Sequence, residues 1–389
     1  MSASSAAPAL ARATAGEPGP PLAGKGSKEG PAEAVLGELD SLERRLATRG
    51  DRRREESVMR KIGVIIVVML GIVVGSTGRE QAWAQQKPIE IRFGHVGFPN
   101  SLFDIVVNEY AKRVNTALKD RVEMKVFHSS QLGTDEVMVK GIKVGALEMF
   151  LPSTIMSTVD TDFGVFEMPY IIVNRAHMKK VSADPRVKAA LLEPLPAKGM
   201  RLLAYWENGF RHVTNNVRPI VKPEDLKGIK LRIPGGVWRG KMFRAYGANP
   251  SPMAFAEVYS ALQAGVMDGQ ENPFPQIASA KFHEVQKYLS LTGHVYTPAY
   301  PAISEAFWQK LPKDIQQTLE KIAVEMGDFA RSEGERLDNE LASKLTSGQM
   351  KMNEVDKETF IRASAPIYHE FAVEVKGGGD LIKLIQSLR

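Results

Sequence analysis

The sequence predicts an α/β protein folded in two lobes, and three observations carry that expectation. Residues 89–151 alternate strand, helix, strand, helix, strand, the pattern of a lobe built on a parallel sheet. Residues 201–292 repeat the alternation. Residues 313–347 then carry one uninterrupted helical stripe, long enough to cross from one lobe to another. The roughly 300 residues involved are enough for a large core divided between two lobes.

Each element has a local cause. Ile89 to His95 alternates apolar and polar side chains, the period of a half-buried strand. Leu102, Val106, Tyr110, Val114 and Leu118 recur at helical spacing and predict a helix over 102–118. Val122 to Phe127 is a second strand, and Leu147 to Leu151 a third. Between them Thr134 is placed to cap a helix running to Val144, with Gly145 to end it. Further on, Arg201 to Trp206 reads as a strand and Pro223 to Gly228 as one helical turn. Lys230 to Ile233 is a strand, Gly236 to Tyr246 a helix, and Asn249 to Met253 a short extended piece. Glu257 to Ala264 is a helix that Gly265 ends, and Tyr288 to Thr292 resembles another strand. The long stripe is made by Ile315, Leu319, Ile322, Met326, Phe329, Leu337, Leu341 and Leu345. Short segments, Lys351 to Val355 and Lys357 to Val375, close the fold.

The N-terminal region has a different character. Arg60-Lys61 precedes an apolar run from Ile62 to Val74, followed by a short polar stretch and Ala82-Trp83-Ala84. This is the layout of an export signal with a cleavage site, so residues 59–84 are predicted to be a signal peptide and the mature chain to begin near Gln85. The run is shorter than the roughly 20 apolar residues that span a bilayer. Residues 1–58 are rich in Ala, Gly, Pro, Glu and Arg and cannot bury enough surface to fold. Because Met59 stands where an export signal begins, they are expected to be an artefactual, disordered extension. The alternative is a cytoplasmic tail in front of an uncleaved anchor.

Composition excludes several classes. The chain has 51 Lys and Arg against 45 Asp and Glu, a formal +6. Residues 1–84 hold 12 basic and 10 acidic side chains, which leaves +4 for the remainder. That charge is spread out, which argues against nucleic acid and suits a small anion. There is no cysteine, so disulfides, thiolate metal sites and a thiol nucleophile are excluded. The seven histidines show no paired metal-ligand spacing, and no cofactor motif is present.

Arg232 stands out against this background. It lies in Leu231-Arg232-Ile233-Pro234-Gly235-Gly236, an apolar strand stopped by a proline and two glycines. A guanidinium at the end of a buried strand calls for an anion, and its rigid fork of donors matches a carboxylate.

Longer motifs surround it. Gly209-Phe210-Arg211-His212-Val213-Thr214-Asn215 is followed by Arg218-Pro219-Ile220 and by Pro223-Glu224-Asp225-Leu226-Lys227-Gly228, which leads into the Arg232 strand. Gly247-Ala248-Asn249-Pro250-Ser251-Pro252-Met253-Ala254-Phe255 continues through Glu257-Val258-Tyr259 to Val266-Met267-Asp268-Gly269-Gln270-Glu271-Asn272-Pro273. Ser129-Ser130-Gln131-Leu132-Gly133 and Met168-Pro169-Tyr170 precede them. Together these resemble the DctP-type solute-binding proteins of tripartite ATP-independent periplasmic (TRAP) transporters, over essentially all of residues 87–389.

The resemblance implies a periplasmic protein, not an enzyme, whose two α/β lobes close on a hinge around an organic acid. It assigns residues 87–207 and 298–335 to the first lobe, and 208–297 and 336–389 to the second. It implies delivery of the acid to small and large membrane subunits by a monomer that carries no cofactor. By resemblance Arg232 clamps the ligand carboxylate, Arg211 is a second arginine reaching the ligand, Asn272 supplies an amide, and Phe255 lines the cleft. Trp238 follows the glycine turn and is expected to face the cleft as well.

Plainer roles stay open for each residue. Arg211 could pair with Glu207, Arg232 with an internal acid, and Phe255 could be ordinary core. Asn272 before Pro273 could be a turn former, and Trp238 and Arg239 could lie on the surface. Asp268 and Glu271 read as structural. The chain departs from sialic-acid and dicarboxylate binders at Gly235, where those carry a polar residue, and near Leu151-Pro152-Ser153, which lacks an acid. A ligand sensor is the second functional reading. A hydrolase is the third, with no motif in its favour.

Overall fold

The structure, a computed structural model, describes Ser41, Arg44 and residues 87–389. The predicted signal peptide, its cleavage site and nearly all of the predicted N-terminal extension lie outside the described residues. Residues 87–389 form one compact unit built on two mixed sheets.

The first sheet opens as expected. β1 (Ile89–Gly94) pairs in parallel with β2 (Val122–Phe127) on one side and β3 (Met149–Phe150) on the other. Helix α1 (Leu102–Ala117) makes the first crossover, with the Ser101 hydroxyl capping it at Asp104 N–H, 3.2 Å away. Its apolar stripe, Val106, Tyr110 and Val114, is buried. Helix α2 (Asp135–Lys143) makes the second crossover, capped by Thr134. β4 (Met200–Leu202) and β12 (Ala302–Ser304) complete the sheet in the order β2-β1-β3-β12-β4.

The second sheet has six strands in the order β13-β10-β6-β9-β7-β8. They are β6 (His212–Asn215), β7 (Lys230–Ile233), β8 (Asn249–Pro252), β9 (Gly269–Asn272), β10 (Tyr288–Ser290) and β13 (Lys351–Asn353). Helix α3 (Val237–Ala245) joins β7 to β8. A separate apolar cluster that includes Val213, Leu231, Ile233 and Phe243 lies against this sheet.

Three segments connect the sheets. β5 (Trp206–Phe210) runs from the first sheet towards β6, and β11 (Tyr296–Ala299) runs back beside it, antiparallel, with a register shift at Thr297/Pro298. Helix α4 (Phe274–Ser279) follows β9, and helix α5 (Lys313–Thr346) is the long helix, roughly 50 Å at 1.5 Å per residue. α5 packs on α1, α4 and β5. Polar tips in that contact are satisfied by the helix backbone: the Trp206 indole N–H donates to the Ala323 carbonyl at 2.8 Å and the Tyr110 hydroxyl to Leu319 at 3.1 Å. Burying these rings without partners would be costly.

The chain differs from its sequence reading in places with a physical reason. The single strand expected over Arg201 to Trp206 is two, β4 and β5. The chain leaves the first sheet at Leu203, whose N–H bonds the Pro301 carbonyl at 3.0 Å. The segment Lys357 to Val375 is two helices, Lys357–Ala363 and Ala365–Glu374, divided just before Pro366, which has no N–H to continue the ladder. Helices over Arg175–Ala183, Pro185–Leu191 and Gly378–Ser387 were not anticipated.

Candidate functional site

β7 lies between β9 and β8, so Arg232 stands beside Gln270 on one side and Ser251 on the other. The strand stops at Pro234, and the Arg232 side chain, 3 % exposed, enters a half-open cavity between the sheets. One edge of its fork is fixed: Nε and Nη2 donate to the Met253 carbonyl at 3.0 and 2.6 Å. The guanidinium stands 5.8 Å from the centre of the Phe255 ring. Among the described residues no acid forms an ion pair with it. Burial, and then the positive charge of Arg211, lower its pKa to about 10, so it is still a cation at neutral pH.

Arg211 is held differently. Its Nε lies 2.5 Å from Glu271 Oε2, and its Nη2 lies 3.0 Å from Oε1 and 2.6 Å from the Glu271 carbonyl. Arg239 joins the same carboxylate through Nη1 at 2.7 Å and approaches Glu167 through Nη2 at 2.7 Å. His294 Nε2 completes the set, 3.0 Å from Glu271 Oε2. Burial works against ionising Glu271, but Arg211 and Arg239 outweigh it and hold the carboxyl well below its ordinary range. Two buried arginines thus face two buried glutamates, and Arg232 is the cation left over.

Of the residues expected at the site, Arg232, Arg211, Asn272 and Phe255 all line this cavity. The Asn272 amide donates to Gln270 Oε1 at 2.5 Å. Phe255 packs on Phe98 and Phe282, with ring centres 5.7 and 5.8 Å apart, while its remaining surface closes the cavity. Trp238 is the exception and is not part of the wall. Its ring packs edge-on against Phe371 at 5.1 Å, and it lies so close to Gly164 that a Cβ there would stand 2.4 Å from the indole Cδ1. The glycine turn directs α3 into the protein rather than towards the cavity. Arg239 is likewise an internal ion-pair member. The Glu207 pairing considered for Arg211 does not form, because Glu207 is taken by Arg175 at 2.6 Å and by the Tyr296 hydroxyl at 3.0 Å.

The wall also has members that the sequence did not point to, and four of them carry a carboxylate or an amide. Asp135 and Glu136 open α2 and read in sequence as ordinary acids of a first helical turn. Asn208 and Gln276, from β5 and α4, carry no sequence signal as single amides. The free space of the cavity is about 50 Å³, room for a few water molecules. A larger groove of about 630 Å³ runs past Tyr205 and Gly327, but its Lys179, Arg201 and Arg331 each pair with an acid. Its fourth cation, Lys188, is exposed, so the groove presents no buried cation awaiting an anion as Arg232 does, which makes the smaller cavity the candidate site.

Comparison with known proteins agrees in extent and fold. The family profile described as bacterial extracellular solute-binding protein, family 7 (DctP), matches residues 93–374. The 2,3-diketo-L-gulonate-binding periplasmic protein YiaO of Escherichia coli is 32 % identical over 77 % of this chain and 92 % of its own length. The C4-dicarboxylate-binding periplasmic protein DctP of Rhodobacter capsulatus is 31 % identical over 82 % and 97 %. Among solved structures, a TRAP periplasmic solute-binding protein from Polaromonas sp. JS666, bound to D-erythronate, superposes with a TM-score of 0.74. It is 32 % identical over 77 % of this chain and 98 % of its own. The breadth of these matches, with the two-sheet architecture and the buried arginine between the sheets, leads to one conclusion: the chain belongs to the DctP family of bacterial extracellular solute-binding proteins, whose members bind organic acids for TRAP transporters and are not enzymes.

Proposed function

We propose that the protein captures a small organic acid in the cavity between its sheets, with Arg232 as the carboxylate clamp, and delivers it to a TRAP-type membrane permease. The observation that supports this reading is the buried Arg232 guanidinium, fixed along one edge by Met253 and paired with no acid among the described residues. A buried cation is tolerable when an anion meets it, and a bidentate carboxylate fits the fork. Asn272 is assigned a polar contact, Phe255 an apolar one, and Arg211 a supporting charge beside the clamp.

Closure is proposed to bring residues 87–207 and 298–335 against residues 208–297 and 336–389. β5, β11 and α5 are the natural hinge. Export through the signal at residues 59–84, a mature start near Gln85 and action as a monomer complete the proposal. A thermal-shift screen of organic acids tests it, since a ligand of the native state raises the melting temperature by mass action. Stabilisation by at least one acid, lost in Arg232→Lys, is the expected result. A protein that no carboxylate stabilises would overturn the proposal.

A further inference from the structure

Apart from the arginines, the cavity wall is rich in hydrogen-bond acceptors that the protein leaves unused. Asp135 and Glu136 both face the cavity, and neither carboxylate accepts a hydrogen bond or forms an ion pair within the described residues. Gln276, 3 % exposed, also lines it, and its Oε1 has no partner, while its amide N–H₂ reaches Asn208 Oδ1 only at 3.5 Å. Glu136 is held close to the clamp. A Cβ at Gly235 would stand 3.4 Å from Glu136 Oε1 and 3.0 Å from Ile155 Cδ1, so the carboxylate rests against the turn that follows Arg232. A side chain larger than alanine at 235 would compete with the carboxylate for this place.

The Gln276 oxygen is buried without a donor, which is costly, while the two carboxylates, Asp135 half-buried and Glu136 exposed, stand on the wall as free acceptors. A ligand that brings O–H donors would satisfy them. A ligand that brings a second carboxylate would meet like charge from Asp135 and Glu136 across the cavity, which disfavours it. Resting on the carboxylate-clamp reading of this cavity, we infer that Asp135, Glu136 and Gln276 make the site selective for monocarboxylates bearing several hydroxyl groups and reject dicarboxylates. The determinants are this chain's own: an acidic pair at the start of α2, one member of which rests against the turn at Gly235. The acid that the sequence lacks near Ser153 is supplied instead from α2.

The test is calorimetric titration of the full chain at pH 8, where Asp135 is ionised, with four-carbon probes that separate charge from donors. D-Erythronate has one carboxylate and three hydroxyls. meso-Tartrate replaces the terminal hydroxymethyl group with a second carboxylate, butyrate removes all hydroxyls, and 4-aminobutyrate offers an ammonium. Erythronate should bind at least about tenfold more tightly than each of the others, the scale expected of one unmatched buried group. In Asp135→Asn/Glu136→Gln the preference over meso-tartrate should collapse, with meso-tartrate gaining at least about tenfold. The single variant Glu136→Gln, on the exposed side of the helix turn, should show part of the same gain. Tartrate binding as well as erythronate to the unaltered protein, or an unchanged ratio in folded variants, would overturn the inference and leave the clamp standing. Tighter binding of 4-aminobutyrate would overturn the hydroxyl assignment. If no probe and no other organic acid binds, the carboxylate-clamp reading fails together with it.

Discussion

Arg211 and Glu271 form a closed ion pair, with Nε 2.5 Å from Oε2 and both side chains almost wholly buried. Glu271 also holds Arg239 and His294, so one carboxylate neutralises much of the charge behind the ligand cavity. Removing it leaves two guanidinium groups buried with reduced compensation. Glu271→Gln should lower stability by about 3–5 kcal/mol, the cost of breaking a buried pair from one side. Urea unfolding of wild type and variant measures this. A loss well under 1 kcal/mol would show that the network relaxes around the amide.

Arg232 should behave in the opposite way. Its charge is desolvated and lacks an acid partner, so Arg232→Lys should keep the fold and lose the fork. Binding of the best organic acid should weaken by roughly tenfold or more, about 1.4 kcal/mol per decade. Calorimetric titration decides it. An unchanged dissociation constant would remove Arg232 from the ligand and leave Arg211 as the anchor.

Trp238 is built into the packing. Trp238→Ala should cost about 3–5 kcal/mol in stability through the cavity left beside Gly164 and Phe371. Acid affinity should be unchanged for the folded fraction. An affinity loss without a stability loss would return Trp238 to the site.

Asp135 carries a pH signature. Its carboxyl is pushed up from 3.8 to about 7, first by burial and then by the charge of Glu136, with Arg232 opposing. A raised folded-state pKa means that the stability it confers is full below pH 4 and is lost as pH rises through 7. Melting temperatures of wild type and Asp135→Asn should therefore diverge between about pH 4 and 7, with wild type falling relative to the variant. Parallel curves across that range would show that the carboxyl titrates normally. Glu136, Arg232 and Arg211 line the cavity with it, and all three are retained in the variant.

Ligand should also compact the protein. Among the described residues the chain crosses between the two sheets at β5, β11 and α5, so closure about these crossings is expected to reduce the radius of gyration in small-angle scattering. Identical profiles with and without saturating acid would contradict a hinge motion.

Much of this was legible in the sequence where side chains obey a simple period. β1, α1, β2 and α2 follow from alternation, a helical stripe and capping residues, and the stripe from Ile315 to Leu345 is α5. Arg232 was legible because a charge at the end of an apolar strand, followed by proline and glycine, has few ordinary explanations. β6 and β9 were not legible as strands. Thr214, Asn215, Gln270, Glu271 and Asn272 are all buried, so inward and outward faces do not alternate in polarity. Pairing was equally hidden. Glu207 is four residues from Arg211, yet the partner is Glu271, 60 residues away across the β6–β9 ladder. Asp135 and Glu136 were masked by a conventional role, since acids belong in the first turn of a helix whether or not a cavity lies beside it.

The order of strands in the first sheet bears on how the chain folds as it emerges. β12, from residues 302–304, sits between β3 and β4 and pairs with both, although it follows them by about a hundred residues or more. The second sheet is likewise finished only by β13, at residues 351–353. Neither sheet can close on the N-terminal half alone, so both wait for nearly the whole chain. Such distant pairings fold slowly. A chain with this wiring cannot complete either sheet until well past its midpoint, so the last residues to be made decide when its two halves become whole.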